Sequence, residues 1–520
     1  LNETRRLAQV FLGRGLQSII FANSRLRAEI LAKYLKEDFA GSPGQDDTIR
    51  AYRGGYLPRE RREIERRLRE GKILGVVSTN ALELGVDIGS LDAAILAGYP
   101  GTIASTWQRA GRAGRRRSAS AALLVASSAP LDQFIVQHPD YFFGRSPEHG
   151  YVNPDNLQIL LDHVKCAAFE LPLREKERFG RWDMKPLCRF LEESGFLHAT
   201  ADGWHWTSES YPADAISLRS ISSDNFVIVD DEGGPRIIGE VDFTSALTTL
   251  HEKAIYLQDG EQYQVERLDY DGRKAYVKPC NSDYYTDAIS YTKVKPLETF
   301  AQEPLEAGAK SHGEVQVNTQ VVGFKKIKFY TMENVGSGEL SLPEQEMHTT
   351  AYWLTLSREL LASLPFSASE GTYGVIGLSN ALHAMATLLV MCDARDLGAT
   401  VEENPRGADE IGSIPQGLNS DENGDEDSAS RAGSSAASAR LKTFFEPNIY
   451  LYDCFPGGVG LSEPLFRLHD ELLNHTWKLI ADCPCEEGCP SCVGPVGEVG
   501  EKGKQVALEI LKHIRAEPAE

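Results

Sequence analysis

Residues 78–115 decide the fold of this chain, and they read STNALELGVDIGSLDAAILAGYPGTIASTWQRAGRAGR. The first motif in this stretch, TNALELGVD at residues 79–87, follows a short apolar run that predicts a buried strand. The second motif, QRAGRAGR at residues 108–115, places Arg112 and Arg115 three positions apart, so both side chains point the same way on a helical turn. Ligands of parallel α/β sheets bind beyond the carboxyl ends of the strands, so the sequence predicts a ligand site here.

Arginine at these two positions suits the chemistry of a nucleoside-triphosphate motor. Such a motor needs fixed positive charge at the γ-phosphate, where negative charge spreads over the oxygens during transfer. A guanidinium stays ionised and offers a rigid fork of hydrogen-bond donors. A basic helix end without a ligand would contain the same residue types, but the two motifs in this order favour the motor.

The two motifs resemble motifs V and VI of superfamily 2 helicases, and residues 19–25, IIFANSR, resemble motif IV. The resemblance implies an α/β RecA-like domain with a parallel sheet over residues 1–130, the second of the two such domains in these motors. It also implies that Arg112 and Arg115 are the catalytic arginine fingers. By the same resemblance, ATP is bound by Gly85, Asp87, Gln108 and Arg109, and nucleic acid is bound by Thr79, Ser24, Arg25 and Arg53.

The charge of the chain is unevenly distributed. The net charge of −21 argues weakly against a nucleic-acid partner. Residues 1–125, however, carry 21 Lys and Arg against 13 Asp and Glu, which leaves 33 against 62 for the remainder. The first segment can therefore face phosphates. No apolar run is long enough to span a membrane, and the nine cysteines favour a reducing, cytoplasmic environment over a disulfide framework.

The motifs that hold ATP and Mg²⁺ in the first RecA-like domain of a helicase are not found in this sequence. There is no GxxxxGK[ST] phosphate loop and no Asp-Glu pair at a strand end to hold Mg²⁺. The chain also begins at Leu1 without an initiator methionine. We therefore expect the first RecA-like domain, which holds ATP and Mg²⁺, to lie outside this sequence, and this chain alone not to hydrolyse ATP.

The middle of the chain predicts a linker and a winged helix. Residues 131–156 contain several prolines and predict a surface linker. Residues 157–215 predict helices followed by a small β-wing that turns at Asp202-Gly203, which is similar to a winged helix. Trp204 and Trp206 alternate in phase within the wing, which favours packing in its core over a wedge against a base pair.

The second half of the chain predicts two further domains. Residues 216–310 contain short β-like runs and predict a β-rich domain. Residues 311–510 predict an α+β zinc-binding domain, with buried helices over residues 351–361 and 377–392. Residues 402–440 are rich in Gly, Ser, Ala, Asn and acidic residues, and they predict a disordered insert within that domain.

Four cysteines near the end of the chain predict a metal site. Cys483, Cys485, Cys489 and Cys492 have the spacing C-x-C-x3-C-x2-C. Four thiolates so close together can close a tetrahedral Zn²⁺ shell, which leaves no open position and makes the metal structural. An iron–sulfur cluster is the alternative. Upstream, DCFPGGVG at residues 453–460 predicts a strand-to-helix turn that either binds phosphate or forms a tight corner.

The helicase motifs, YLYDCFPGGVGLSE at residues 450–463 and the cysteine cluster together resemble the mitomycin-repair helicases and their fungal RecQ-like relatives. That resemblance implies a DNA translocase of 3′-to-5′ polarity that acts in DNA repair and carries a carboxyl-terminal zinc-binding region. The alternative from another class is a non-enzymatic, zinc-organised nucleic-acid-binding module that works with a separate ATPase.

Overall fold

The computed structural model of the chain describes residues 1–41, 47–86, 88–89, 91–114, 119–147, 150–216, 225–232, 234–403 and 445–515. None of the helices in these ranges combines the length and the apolar character that crossing a bilayer requires.

A parallel sheet with flanking helices forms the start of the chain. Its elements are α1 (Asn2–Leu12), β1 (Ser18–Ala22), α2 (Arg25–Phe39), β2 (Ile49–Tyr52), α3 (Pro58–Arg69), β3 (Gly75–Ser78), β4 (Ala93–Ala97), α4 (Ile103–Ala110) and β5 (Ala121–Val125). The strand order is β2-β3-β1-β4-β5, and every pairing is parallel. Every residue of the central strand β1 is buried, as is usual for a parallel strand that helices cover. This is the RecA-like sheet that the sequence predicted.

The segment that was predicted to be a linker contains two short helices, α5 (Pro130–Gln137) and α6 (Pro139–Gly144). Proline begins each helix at a position where its missing N–H is not needed. Ile135 of α5 is buried in the core of the carboxyl-terminal domain, and Leu131 packs against the same core. These helices therefore attach the first domain to the last one.

A winged-helix domain follows. It contains α7 (Leu157–Glu170), β6 (Arg178–Phe179), β7 (Trp182–Asp183), α8 (Met184–Glu193), β8 (Leu197–Thr200) and β9 (Gly203–Trp206). β8 and β9 form the predicted hairpin, with Thr200 opposite Gly203. Trp204 is buried in the core of this domain and Trp206 packs against it, as the packing interpretation expected.

A five-stranded sheet forms the β-rich region. Its elements are β10 (Asn225–Asp230), β11 (Arg236–Asp242), α9 (Phe243–Thr249), β12 (Ile255–Gln258), β13 (Glu261–Asp269) and β14 (Lys274–Pro279), in the strand order β11-β10-β14-β13-β12. Phe226 and Ile228 are fully buried in its core.

A second β region is built on an unusually long antiparallel hairpin. Its strands are β15 (Tyr284–Leu305), β16 (Gly308–Lys328), β17 (Asn334–Glu339), β18 (Gln345–Leu356), β19 (Leu397–Glu403) and β20 (Pro447–Asp453), in the order β15-β16-β18-β20-β19 with β17 on β16. The hairpin crosses position 310, where the sequence predicted a domain boundary. The prediction of a helix over residues 351–361 is wrong for its first half, because bulky residues such as Tyr352 and Trp353 continue β18.

Helices complete the carboxyl-terminal domain: α10 (Arg358–Ser363), α11 (Ala368–Leu389), α12 (Ser462–Arg467), α13 (His469–Ala481), α14 (Val496–Val499) and α15 (Gly503–Ile514). α11 is the central helix and is buried on most of its surface, with a capping box formed by Ser367 and Glu370 at its start. Tyr99, which follows β4 of the first domain, is buried in the same core as α11. Most of the predicted acidic insert lies outside the described residues; β19 ends at Glu403.

Candidate nucleotide and nucleic-acid site

The two helicase-like motifs meet beyond the carboxyl ends of β3 and β4. β3 leads directly into Thr79 and a short 3-10 helix, Asn80–Leu82, and α4 carries the start of the second motif. After α4 the chain pairs with Leu91, whose backbone N–H donates to the carbonyl of Arg112 (3.2 Å). The parallel sheet therefore places both motifs at the edge where ligands bind in this type of fold.

Arg112 ties the second motif to the first. Its Nε and Nη2 donate to the backbone carbonyl of Glu83 (3.1 and 2.7 Å), and its Nη1 donates to the carbonyl of Val86 (2.8 Å). Within the described part of the chain, this half-buried guanidinium forms no ion pair with a carboxylate. Arg112 thus holds the loop of the first motif, and it must exchange these carbonyls for a ligand in order to act on one.

Arg109 is a buried connector between three motifs. Its Nε donates to Oε2 of Glu83 (2.9 Å) and its Nη1 donates to Oδ1 of Asn23 (3.2 Å), just after β1. The guanidinium also lies 5.5 Å from the centre of the Phe21 ring. Glu83 accepts a further hydrogen bond from the hydroxyl of Ser105 (2.7 Å). The sequence analysis did not single out Glu83 or Asn23, because a contact between distant loops leaves no local spacing signal.

The other residues predicted to bind ATP differ in exposure. Gln108 is exposed on α4. Gly85 has a φ of +78° and faces open space, so the backbone of this loop is accessible to a ligand. Asp87 and Arg115 lie outside the described residues, and their roles stay predictions.

Three of the residues predicted to contact nucleic acid line one cleft of about 480 Å³ between the first domain and the β-rich region: Ser24, Arg25 and Arg53. Ser24 caps α2 by accepting a hydrogen bond from the N–H of Arg27 (3.1 Å). Arg25 pairs with Asp242 at 2.5 Å and is 41% exposed. Burial alone would raise the pKa of Asp242, but Arg25 and neighbouring hydrogen bonds lower this pKa to about 2. Thr79, the fourth residue, directly follows β3; it is buried and is not among the residues that line this cleft.

Arg53 is engaged inside the protein. Its Nε donates to Oε1 of Glu29 (2.6 Å), and its Nη2 donates to the hydroxyl of Tyr256 (2.8 Å) and to the carbonyl of Leu257 (2.9 Å). Arg53 and Glu29 are each only 2% exposed. Burial raises the pKa of Glu29, and the Arg53 guanidinium opposes that shift. These contacts favour a structural role for Arg53, which joins the first domain to β12.

The four predicted metal ligands come together at the end of α13. The Sγ atoms of Cys483 and Cys485 are 3.6 Å apart, those of Cys483 and Cys489 3.5 Å, those of Cys485 and Cys492 3.5 Å and those of Cys489 and Cys492 3.8 Å. Four sulfurs at the Zn–S distance of about 2.3 Å form a tetrahedron with edges of about 3.8 Å. An iron–sulfur cluster places its own irons and sulfides between the cysteines and needs wider spacing. The donor set therefore fits a single Zn²⁺.

Lys504 lies beside the four cysteines and supports the loop that carries two of them. Its Nζ donates to the carbonyls of Cys483 and Cys485, both at 2.6 Å, and the residue is only 8% exposed. A buried ammonium group offsets the negative charge of thiolate ligands and fixes the loop that carries them. The sequence analysis missed Lys504, because it lies on a separate helix, α15.

The glycine-rich turn after β20 is a structural corner. One carboxylate oxygen of Asp453 accepts from the backbone N–H groups of Val459, Gly460 and Leu461 (2.7, 3.0 and 3.2 Å), so those donors are already used. Asn156, which caps α7, donates to the carbonyl of Gly458 (2.8 Å). Of the two interpretations, the corner is therefore favoured over a phosphate site.

Three domain families match the chain in the order of its domains. The family described as the helicase conserved C-terminal domain matches residues 3–117, and the winged helix domain of ATP-dependent helicase HRQ1 matches residues 152–221. The MrfA Zn-binding domain matches residues 378–493, which include all four cysteines of the cluster. Each match covers its own part of the chain, so the chain combines regions similar to these three domain families. This finding agrees with the resemblance drawn from the motifs.

Individual relatives extend the similarity over nearly the whole chain. The chain is 45% identical to the protein named uncharacterized ATP-dependent helicase YprA of Bacillus subtilis, over 98% of this chain and 63% of that protein. It is 29% identical to ATP-dependent helicase HRQ1 of Saccharomyces cerevisiae, over 95% of this chain and 44% of that protein. The crystal structure of DUF1998 helicase MrfA bound to DNA superposes with a TM-score of 0.67 and 44% identity, covering 98% of this chain and 63% of that chain. The chain thus spans less than two thirds of the length of these relatives.

Proposed function

We propose that this chain is the carboxyl-terminal portion of an ATP-dependent 3′-to-5′ DNA helicase or translocase that acts in DNA repair. The observation that carries the proposal is the set of hydrogen bonds from Arg112 to the carbonyls of Glu83 and Val86. These bonds join the two motifs at the ligand-binding edge of the sheet. A structure of MrfA with DNA and AMPPNP, similar to this chain at a TM-score of 0.64 and 44% identity, supports it.

In the proposed motor, a first RecA-like domain supplies the phosphate loop and Mg²⁺, and ATP binds between the two domains. Arg112 and Arg115 reach the γ-phosphate, while Gly85, Asp87, Gln108 and Arg109 border the nucleotide. When Arg112 leaves the carbonyls of Glu83 and Val86, the loop that begins at Thr79 is free to move. Turnover would thereby shift a loop that contacts the nucleic-acid backbone.

The nucleic-acid side of the proposal lies in the cleft lined by Ser24 and Arg25, with Thr79 at the end of the neighbouring strand β3. Contacts of this type go to phosphates and position the protein without reading sequence. Zn²⁺ held by the four cysteines would be structural, because four thiolates fill its coordination shell.

Joining the chain to the first RecA-like domain of a relative tests the proposal. We expect DNA-stimulated ATP hydrolysis and unwinding of duplexes with a 3′ overhang, and no hydrolysis by the chain alone. Unwinding of duplexes with only a 5′ overhang would contradict the proposed polarity. Hydrolysis that does not depend on the added domain would contradict the assignment of the ATP-holding loop to that domain.

A further inference from the structure

The loop at residues 390–396 of the carboxyl-terminal domain packs directly on the turn before α4, the helix that carries the start of the second motif. A Cβ placed on Gly101, just before α4, would lie 2.9 Å from the Cα of Asp393 and 2.9 Å from the carbonyl oxygen of Cys392. The loop itself is anchored at both ends, since the N–H of Cys392 donates to Thr387 (3.1 Å) and the carbonyl of Asp396 accepts from Cys454 (2.9 Å). These bonds fix the loop within the carboxyl-terminal domain, and its close approach to Gly101 brings it against the first domain.

This loop presents Arg395 to the nucleic-acid cleft. Arg395 lines the same cleft as Ser24 and Arg25, from the opposite domain. Its Nε and Nη2 form a fork on the two carboxylate oxygens of Asp393 (3.1 and 2.7 Å), and the side chain is 56% exposed. Among the described residues, its Nη1 has no hydrogen-bond partner. The guanidinium is thus held in place at one edge while its other edge stays available.

We propose that Arg395 is a phosphate-contacting residue, which the carboxyl-terminal domain contributes to the cleft opposite Arg25, and that its ligand is the phosphodiester backbone of single-stranded nucleic acid. The inference rests on the proposed function and extends it to the second wall of the cleft. A guanidinium fixed by one carboxylate can still donate to a phosphate oxygen through its free N–H groups.

The charges that face the cleft are consistent with this ligand. Arg53 is buried against Glu29 and cannot reach a ligand. Arg25 and Arg395 each pair with one carboxylate, Asp242 and Asp393, but both remain substantially exposed and can still donate to a phosphate. Asp287 of β15 also lines the cleft, and Lys325 lies opposite it in the register of the hairpin. A cross-strand lysine offsets the repulsion that this carboxylate would exert on a phosphate.

The test measures binding of the full chain to fluorescein-labelled dT20 by anisotropy over a series of NaCl concentrations. Arg395→Gln is expected to weaken binding about tenfold and to reduce the slope of log K against log salt by about 0.7, the value for one lost phosphate contact on a single strand. Arg395→Lys is expected to keep the slope, because it keeps the charge. Arg467→Gln is the matched control, since Arg467 is exposed and, like Arg395, pairs with one carboxylate among the described residues, that of Glu463.

The outcomes separate this inference from the proposed function. If Arg25→Gln weakens binding while Arg395→Gln, with an unchanged thermal midpoint, behaves like the Arg467 control, the inference is wrong and the proposed function stands. If neither variant changes binding, nucleic acid does not use this cleft and its assignment in the proposed function fails. Inorganic phosphate at matched ionic strength is expected not to displace dT20. Displacement that disappears in Arg395→Gln would identify a small-anion site and overturn the inference.

Discussion

Replacing Lys504 by methionine should loosen the metal site without disturbing the rest of α15. The ammonium group makes two short hydrogen bonds, to the carbonyls of Cys483 and Cys485, and is nearly excluded from solvent. Methionine preserves the apolar stem but leaves both carbonyls without this donor and removes a positive charge beside the thiolates. Partners of this kind typically contribute 10- to 100-fold to metal affinity, which corresponds to about 1.4–2.7 kcal/mol.

Competition for Zn²⁺ against a chromophoric chelator measures this affinity on the metal-free chain. The matched control is Lys512→Met on the same helix, because Lys512 is exposed and pairs only with Glu509 among the described residues (2.5 Å). We expect the control to bind Zn²⁺ as the unaltered chain does. If Lys504→Met retains the affinity of the control, the role given to Lys504 is wrong.

Two further predictions concern stability. Asn156→Ala should lower the free energy of unfolding by about 3 kcal/mol, because it removes a helix cap and the donors to the carbonyls of Pro456 and Gly458. Urea unfolding measures this loss. A loss below about 1 kcal/mol would contradict the assignment of the turn after β20 as a structural corner. Burial lowers the pKa of His469 to about 4, with Tyr352 hydrogen-bonded to its Nδ1 (2.8 Å). Because the unfolded chain then binds the proton more tightly than the folded one, the free energy of unfolding should decrease as pH falls. Between pH values of about 6.5 and 4, the chain should lose up to about 3 kcal/mol of stability relative to His469→Gln. If the two proteins show parallel profiles of stability against pH, this prediction is wrong.

The sequence predicted those parts of the fold that have a strong local pattern. The apolar run before Thr79 predicted a parallel strand, and the Asp202-Gly203 turn predicted a hairpin. Both could be predicted because hydrophobic periodicity and turn chemistry act over a few residues. The cysteine cluster could be found for the same reason, since its four ligands are close in the chain.

Contacts between distant segments could not be predicted in this way. The strand at Gln345–Leu356 was missed in part because an apolar run of this length suits a buried helix as well as a strand, and its pairing with β16 decides the outcome. The internal pairing of Arg53 with Glu29, the connector role of Arg109 and the approach of Arg395 to the cleft all depend on how domains pack. An arginine in a sequence does not show whether its partner will be a carboxylate, a carbonyl or a phosphate.

The ATPase rate of Arg112→Ala, in the chain joined to a first RecA-like domain, tests the central claim most directly. Loss of an arginine finger costs on the order of 10³–10⁵ in turnover. We predict a loss of this size with DNA affinity nearly unchanged, while the control Arg66→Ala, which removes an exposed arginine paired with Glu63, keeps full activity. Turnover by Arg112→Ala that equals the control would show that Arg112 only holds the loop of Glu83 and Val86, and the account of the motor would be wrong.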